Sequence, residues 1–455
     1  MTDHIIQKYN IPVPRYTSYP PANYFHENFS EEDYINAVKE SNTAQPSHIS
    51  FYLHIPFCRH LCHYCGCNSF PMMKQENIDQ YVKALFKEIG KIKPLLNKDR
   101  KIAQIHYGGG TPTVLPVHIL KELNEFLLDG FNTIDKPEIA IECHPGYLDE
   151  KYWMDLTEAH FNRFSLGIQD FNDDVLKTVN RRPSLLPIKD IFQILRTAGA
   201  RINMDFIYGL PLQTIEGFRN TISKAIELNP DRLVTFSYAH VPWVSKRQLI
   251  LEKAGLPDTH TKKKMFEEAS RLLIDSNYQA VGMDHFVRSD DELYQALQAN
   301  QLHRNFQGYC TRRTTGQVYA FGVTGIGQLN SAYIQNVKTI NEYIDLVNKE
   351  KLPVNKGYLL SKNEQITRAV IESLMCNYAI YWDDLASHLN IPTEQIKQAI
   401  RYNTKELQEF AFDGLITYTE DYILMTDKGK LFVRNVAASL DKLMVNTTRK
   451  FSKPV

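Results

Sequence analysis

No apolar run in this chain of 455 residues approaches the roughly 18 residues that a membrane-spanning helix needs. The opening stretch MTDHIIQKYN lacks the apolar core of a secretory leader, so the sequence reads as cytoplasmic with no membrane partner. Net charge is missing too, since Lys+Arg and Asp+Glu both number 52. That balance argues against a nucleic-acid surface spread over the whole molecule and leaves room only for a local patch. No low-complexity tract occurs, and no internal repeat beyond an alternation of strand and helix patterns. Cysteine is scarce, at seven residues, and a disulfide framework does not suit a large chain read as cytoplasmic.

What cysteine there is, is concentrated. Cys58, Cys62, Cys65 and Cys67 fall within FYLHIPFCRHLCHYCGCNSF, directly after the apolar run Phe51 to Ile55 that reads as a strand ended by Pro56. The spacing C-x3-C-x2-C lets one loop bring three thiolates to three irons of a cubic iron–sulfur cluster, leaving the fourth iron open. Structural zinc sites pair two knuckles a dozen or more residues apart. Here Cys143, Cys310 and Cys376 stand alone, so a cluster is the better reading.

From about 46 to 240 strand and helix patterns alternate. Strands are predicted at 49–55, 102–107, 138–143, 164–168, 203–207 and 233–238. Between them run helical stripes such as Ile78, Tyr81, Val82, Leu85, Ile89 and Ile92, or Ile215, Phe218, Ile222, Ala225 and Ile226. Six βα units predict an α/β fold with a parallel sheet, too short for a closed eight-stranded barrel and so an open partial one. Chemistry in such folds gathers where strands end. The cysteine loop follows the first strand, Gly108-Gly109-Gly110-Thr111-Pro112 follows the second, and Glu142 ends the third. The glycines would let a ligand approach the backbone closely. Asp205, on the apolar run Ile202 to Leu210, needs a partner or a polar cavity to offset its burial.

These motifs resemble the radical S-adenosylmethionine (SAM) superfamily. The ending Cys65-Gly66-Cys67 is similar to the oxygen-independent coproporphyrinogen III oxidases, as are PRYTSYP near the start, GMDHF…DDEL from Gly282 and HRNFQGY from His303. The resemblance implies a partial (β/α)6 radical SAM barrel over residues 46–350. An N-terminal arm over 1–45 is expected near the substrate cleft, and a helix-rich, winged-helix-like domain over 351–455 covers the active site. It implies one [4Fe–4S] cluster on Cys58, Cys62 and Cys65, and two SAM molecules. Tyr52 at the end of strand one, Tyr64 and Ile326 would meet the first SAM. Gly110, Thr111, Gln169, Arg181, Asp205 and Ala239 would hold the second, while Gly109 belongs to the SAM-contacting glycine run. Glu142 would suit nucleoside hydroxyls or an amino group. Cys67 is a catalytic marker of undefined task.

The implied reaction proceeds through a 5′-deoxyadenosyl radical. It converts two propionates of coproporphyrinogen III to vinyl groups, giving protoporphyrinogen IX in haem biosynthesis. A low-potential donor such as flavodoxin or ferredoxin is the expected partner of a monomer. Arg15, Arg288 and Arg304 are candidates for the substrate carboxylates. A haem chaperone without decarboxylase activity is the alternative, against which the C-G-C ending and the arm speak. The chain departs from its relatives at His144, where Asp is common, and at Arg182, which replaces an acid. Leu385 to Pro392 reads as half of a helix-turn-helix, with Leu415 to Tyr418 and Tyr422 to Met425 as wing strands. Its recognition stretch, Glu394 to Tyr402, carries only Lys397 and Arg401 as cations, thin for binding phosphates.

Overall fold

The structure, a computed structural model, describes residues 3–453; the outermost residues of the 1–45 and 351–455 segments lie outside the described residues. Six parallel strands, β1 (Ile49–Ile55), β2 (Ile102–Gly109), β3 (Thr133–Cys143), β4 (Arg163–Gln169), β5 (Arg201–Tyr208) and β6 (Arg232–Ser237), lie side by side in chain order. The alternation legible in the sequence is therefore the centre of the sheet. Helices cross between them: α1 (Gln75–Ile92), α2 (Val117–Leu128), α3 (Glu150–Glu158), α4 (Ile188–Thr197) and α5 (Ile215–Glu227). The predicted stripe of α1 is buried from Ile78 to Ile92. Thr214 starts α5 by accepting a hydrogen bond from the Gly217 amide at 2.9 Å, the usual work of an N-cap threonine. Ile49, Phe51, Leu53 and Ile55 of β1 are fully buried and Ser50 and His54 nearly so, as expected of a parallel strand covered on both faces.

The sheet extends further than the alternation announced. Past α6 (Thr259–Asp275), β7 (Tyr278–Val281) and β8 (His285–Arg288) add antiparallel strands beyond β6. After the hairpin of β9 (Leu302–Asn305) and β10 (Gly308–Thr311), the chain returns to the opposite edge. There β11 (Gln317–Phe321) pairs parallel with β1, followed by antiparallel β12 (Ile326–Gln328), β13 (Ala332–Asn336) and β14 (Val354–Leu359). The order is β14-β13-β12-β11-β1-β2-β3-β4-β5-β6-β8-β7, an open sheet of twelve strands.

The first 45 residues are not wholly extended. Asp3–Tyr9 and Glu31–Ser41 are helical, the second begun by a capping box between Ser30 and Asp33 that a search for apolar periodicity passes over. Between them the arm holds only the short 3-10 turn Ala22–Tyr24 and packs on the C-terminal part: the Tyr16 and Tyr19 hydroxyls donate to Asp441 at 2.9 and 3.0 Å. That part holds α7 (Lys362–Asn377) and a small sheet of β15 (Ala379–Tyr381), β16 (Ile416–Tyr418) and β17 (Tyr422–Met425), ordered β15-β17-β16. The helices Trp382–Leu389 and Thr393–Ala399 complete a winged-helix-like unit. Both cations of its would-be recognition stretch are engaged. Lys397 lies over the Trp382 and Tyr402 rings, and Arg401 pairs with Glu406.

Candidate active site

The cysteine loop leaves β1 and folds over the end of β2. The glycine run makes that contact with its Gly108 and Gly110 backbone. A Cβ on Gly110 would stand 2.7 Å from the backbone of Pro56, and one on Gly108 2.7 Å from the Glu142 carboxylate. Only bare backbone lets the loop lie this close. The Gly110 amide donates to the Ile55 carbonyl at 2.8 Å, and the Thr111 hydroxyl donates to the Cys58 sulfur at 3.4 Å. Arg181 reaches the Cys62 sulfur at 3.6 Å and the Tyr64 hydroxyl at 3.1 Å. A hydrogen bond from the Cys67 thiol holds Cys65 down to about 6, which makes it a thiolate at neutral pH. Burial pushes the Cys58 thiol up.

Among the described residues no three His, Cys, Asp or Glu side chains crowd around one point that a single ion would fill. Three thiols on one loop, with hydrogen-bond donors facing the Cys58 and Cys62 sulfurs, are the soft donor set that an iron–sulfur cluster takes.

The structure sorts the predicted residues into two groups. Tyr52, Cys67, Gly109, Glu142 and Ile326 line a cavity of about 790 Å³ along the strand ends, within the range of small-molecule sites. Tyr52 sits in mid-strand rather than at the end of β1, with its hydroxyl 3.2 Å from His54 Nδ1. Cys67 is exposed, so it is not a buried apolar filler. Glu142 faces His106 at 3.2 Å.

A second group surrounds Arg181. Its guanidinium donates to the Gly167 carbonyl, and a Cβ on Gly167 would lie 2.9 Å from both Arg181 Nη2 and Gln169 Nε2. Gln169 has a φ of 70°, costly for a non-glycine residue, and its buried Oε1 has no partner. Asp205 accepts from the Ser165 hydroxyl at 2.8 Å. Burial, helped by the charge of Glu142, raises it to about 6. Ala239 is tied to the loop through Gln248, which donates to the carbonyls of Ala239 and Tyr64 at 3.2 and 2.9 Å. Tyr64 packs against Val179, Ile207 and Tyr238. An unpaired amide oxygen, a buried carboxyl and a fixed guanidinium fit a polar, zwitterionic ligand such as SAM.

The three arginines expected at the propionates do not line the cavity. Arg304 donates to the Arg15 carbonyl at 2.7 Å, joining β9 to the arm, and Arg288 lies over the Tyr278 ring. The cations on the wall are Arg247, whose buried Nη1 has no partner, and Lys338. Neither carries a motif: Arg247 lies in the short 3-10 turn Lys246–Gln248 and Lys338 just after β13, and only the fold brings them to the cavity. Of the two departures from the relatives, Arg182 lies over the Tyr147 ring. His144 caps the Gly146 amide, with burial lowering it to about 2.

Comparison with known proteins agrees with this geometry. Residues 52–225 match the radical SAM superfamily. The chain is 36% identical to the oxygen-independent coproporphyrinogen III oxidase of Synechocystis sp., over 99% of this chain and 97% of that one. It is 37% identical to the protein of that name in Escherichia coli K12, over 99% and 98%. The solved structure of the Escherichia coli coproporphyrinogen III oxidase, described as a radical SAM enzyme, superposes with a TM-score of 0.88 at 36% identity, covering 97% of this chain and 99% of that one. With the cysteine loop on the first strand of such a sheet, the chain belongs to the oxygen-independent coproporphyrinogen III oxidase family of the radical SAM superfamily.

Proposed function

We propose that this protein oxidises coproporphyrinogen III without oxygen in haem biosynthesis, turning two propionates into vinyl groups and giving protoporphyrinogen IX. The observation that carries the reading is the three-thiol loop at the edge of a large polar cavity, in a chain similar to such oxidases over nearly its whole length. Cys58, Cys62 and Cys65 would hold a [4Fe–4S] cluster, with SAM bound beside it. When bound, these groups would supply the one-electron chemistry that oxidising the propionates requires.

The chain's own part is to bind, orient and exclude water. Thr111 and Arg181 steady the Cys58 and Cys62 sulfurs. Tyr52, Gly109, Glu142 and Ile326 form the wall for one SAM, with Tyr64 against its adenine. Gly110, Thr111, Gln169, Arg181, Asp205 and Ala239 serve a second. The separation of Tyr52, Gly109, Glu142 and Ile326 on the cavity wall from Gln169, Arg181 and Asp205 supports two sites. Arg247 and Lys338 meet the substrate carboxylates in place of the arginines first considered. Residues 46–350 form the catalytic domain, 1–45 the arm and 351–455 the cover. The protein works as a cytoplasmic monomer fed by a flavodoxin or ferredoxin, without nucleic acid or membrane. No helix among the described residues is long and apolar enough to cross one. Anaerobic incubation of reconstituted protein with SAM, reductant and coproporphyrinogen III tests this. Tricarboxylic and then dicarboxylic products are expected; intact tetracarboxylate would overturn the reading and favour a haem-binding chaperone.

A further inference from the structure

The side of the cavity away from the cysteines carries two buried carbonyl oxygens that nothing in the protein satisfies. On β12, Ile326 and Gln328 share a face because side chains alternate along a strand. Gln335 on β13 pairs directly with Ile326, so Gln328 and Gln335 are diagonal neighbours on one surface. Both line the cavity and both are more than nine-tenths buried. The Oε1 atoms of both are buried without a hydrogen-bond partner. Each such atom in a native structure asks for a reason, and two diagonal to one another on a cavity wall point to a donor-bearing ligand.

The orientation of Gln328 is set from behind. His303 on β9 holds its Nδ1 against Glu372 of α7, which also accepts from Arg312 at 3.0 Å. His303 Nε2 lies 3.4 Å from Gln328 Nε2. The amide nitrogen then faces the histidine and the carbonyl oxygen faces the cavity, an assignment that follows from the hydrogen-bond network.

Resting on the functional reading above, we propose that Gln328 and Gln335 recognise the reduced state of the tetrapyrrole by accepting hydrogen bonds from its pyrrole N–H groups, with His303 and Glu372 as positioning residues for Gln328. A porphyrinogen carries an N–H on every pyrrole. The oxidised porphyrin has lost half of them and presents bare nitrogen lone pairs, which a wall of carbonyl oxygens repels. Such a wall discriminates by leaving acceptors unpaired with the wrong ligand, the strongest form of polar selectivity.

The test is anaerobic calorimetric titration of the reconstituted protein with coproporphyrinogen III and, separately, coproporphyrin III. Wild type is expected to prefer the porphyrinogen. Gln328→Met and Gln335→Met, close in size but without a carbonyl, should each weaken porphyrinogen binding about fivefold, and the double variant more than about tenfold. Porphyrin binding should change less than about twofold. Gln335→Glu, which keeps an acceptor, should retain the preference. His303→Phe should lower the ratio of the two affinities as Gln328→Met does, a change that general loosening of the fold would not produce. Equal losses for both tetrapyrroles, or an unchanged ratio in the double variant while wild type turns over its substrate, would overturn this inference and leave the functional reading standing. Wild type that neither binds nor decarboxylates coproporphyrinogen III would overturn both.

Discussion

At the scale of single residues, the chemistry rests on groups whose protonation the fold has moved. Asp205 is shifted from the ordinary 3.8 to about 6, chiefly by burial. Its folded form therefore keeps a proton that the unfolded chain has lost. Stability falls as pH rises through that window and stays lower above it. Asp205→Asn is expected to stabilise the cofactor-free protein by about 1–2 kcal/mol at pH 7, with no gain at pH 3.5, in urea unfolding at the two pH values. The same change should weaken SAM binding, since the acid is retained at a cost. Replacing a cysteine separates ligands from neighbours: Cys65→Ser should abolish the brown charge-transfer absorption of the reconstituted protein, and Cys67→Ser should keep it. The three-cysteine spacing was legible because it is local. Gln328, Gln335 and Arg247 were not, because only the pairing of β11, β12 and β13 and the course of a distant loop bring them to the cavity.

At the scale of elements, one buried carboxylate fixes the turn before β12. Glu88 of α1 is fully buried, and burial raises it to about 7. It accepts from the Gly322 amide at 2.8 Å, Asn336 Nδ2 at 2.6 Å and the Tyr343 hydroxyl at 2.5 Å. Glu88→Ala strands these three donors and should cost about 2–4 kcal/mol in urea unfolding, with loss of activity because Ile326 and Gln328 follow that turn. The arm offers a second case. Removing both hydroxyls with Tyr16→Phe and Tyr19→Phe leaves Asp441 buried without them. That should cost at least about 2 kcal/mol and speed tryptic cleavage at the exposed Arg15, followed by mass spectrometry. The stripes of α1 and α5 announced these helices in the sequence. Glu31–Ser41 did not stand out, since its start is marked by Ser30 and Asp33 rather than by an apolar period. Strand β11 was missed because a short run such as QVYAF has no helix beside it to mark a βα unit.

At the scale of the whole molecule, the strand–helix alternation up to about residue 240 was enough to predict an open parallel sheet with its chemistry at the strand ends. The second half was opaque for a physical reason. Its strands are short, mostly antiparallel and paired across long stretches of chain, so local pattern carries little of their order. They nevertheless supply the far wall of the cavity, and the arm and C-terminal part are stitched together across the ends of the sequence. The proposed reaction requires a four-iron cluster held by Cys58, Cys62 and Cys65. Mössbauer spectra of protein reconstituted with 57Fe, before and after SAM, test it most directly. The expected result is one cluster per chain with a single iron subsite whose parameters shift when SAM is added. A single metal ion per chain, or four irons that do not respond to SAM, would contradict it.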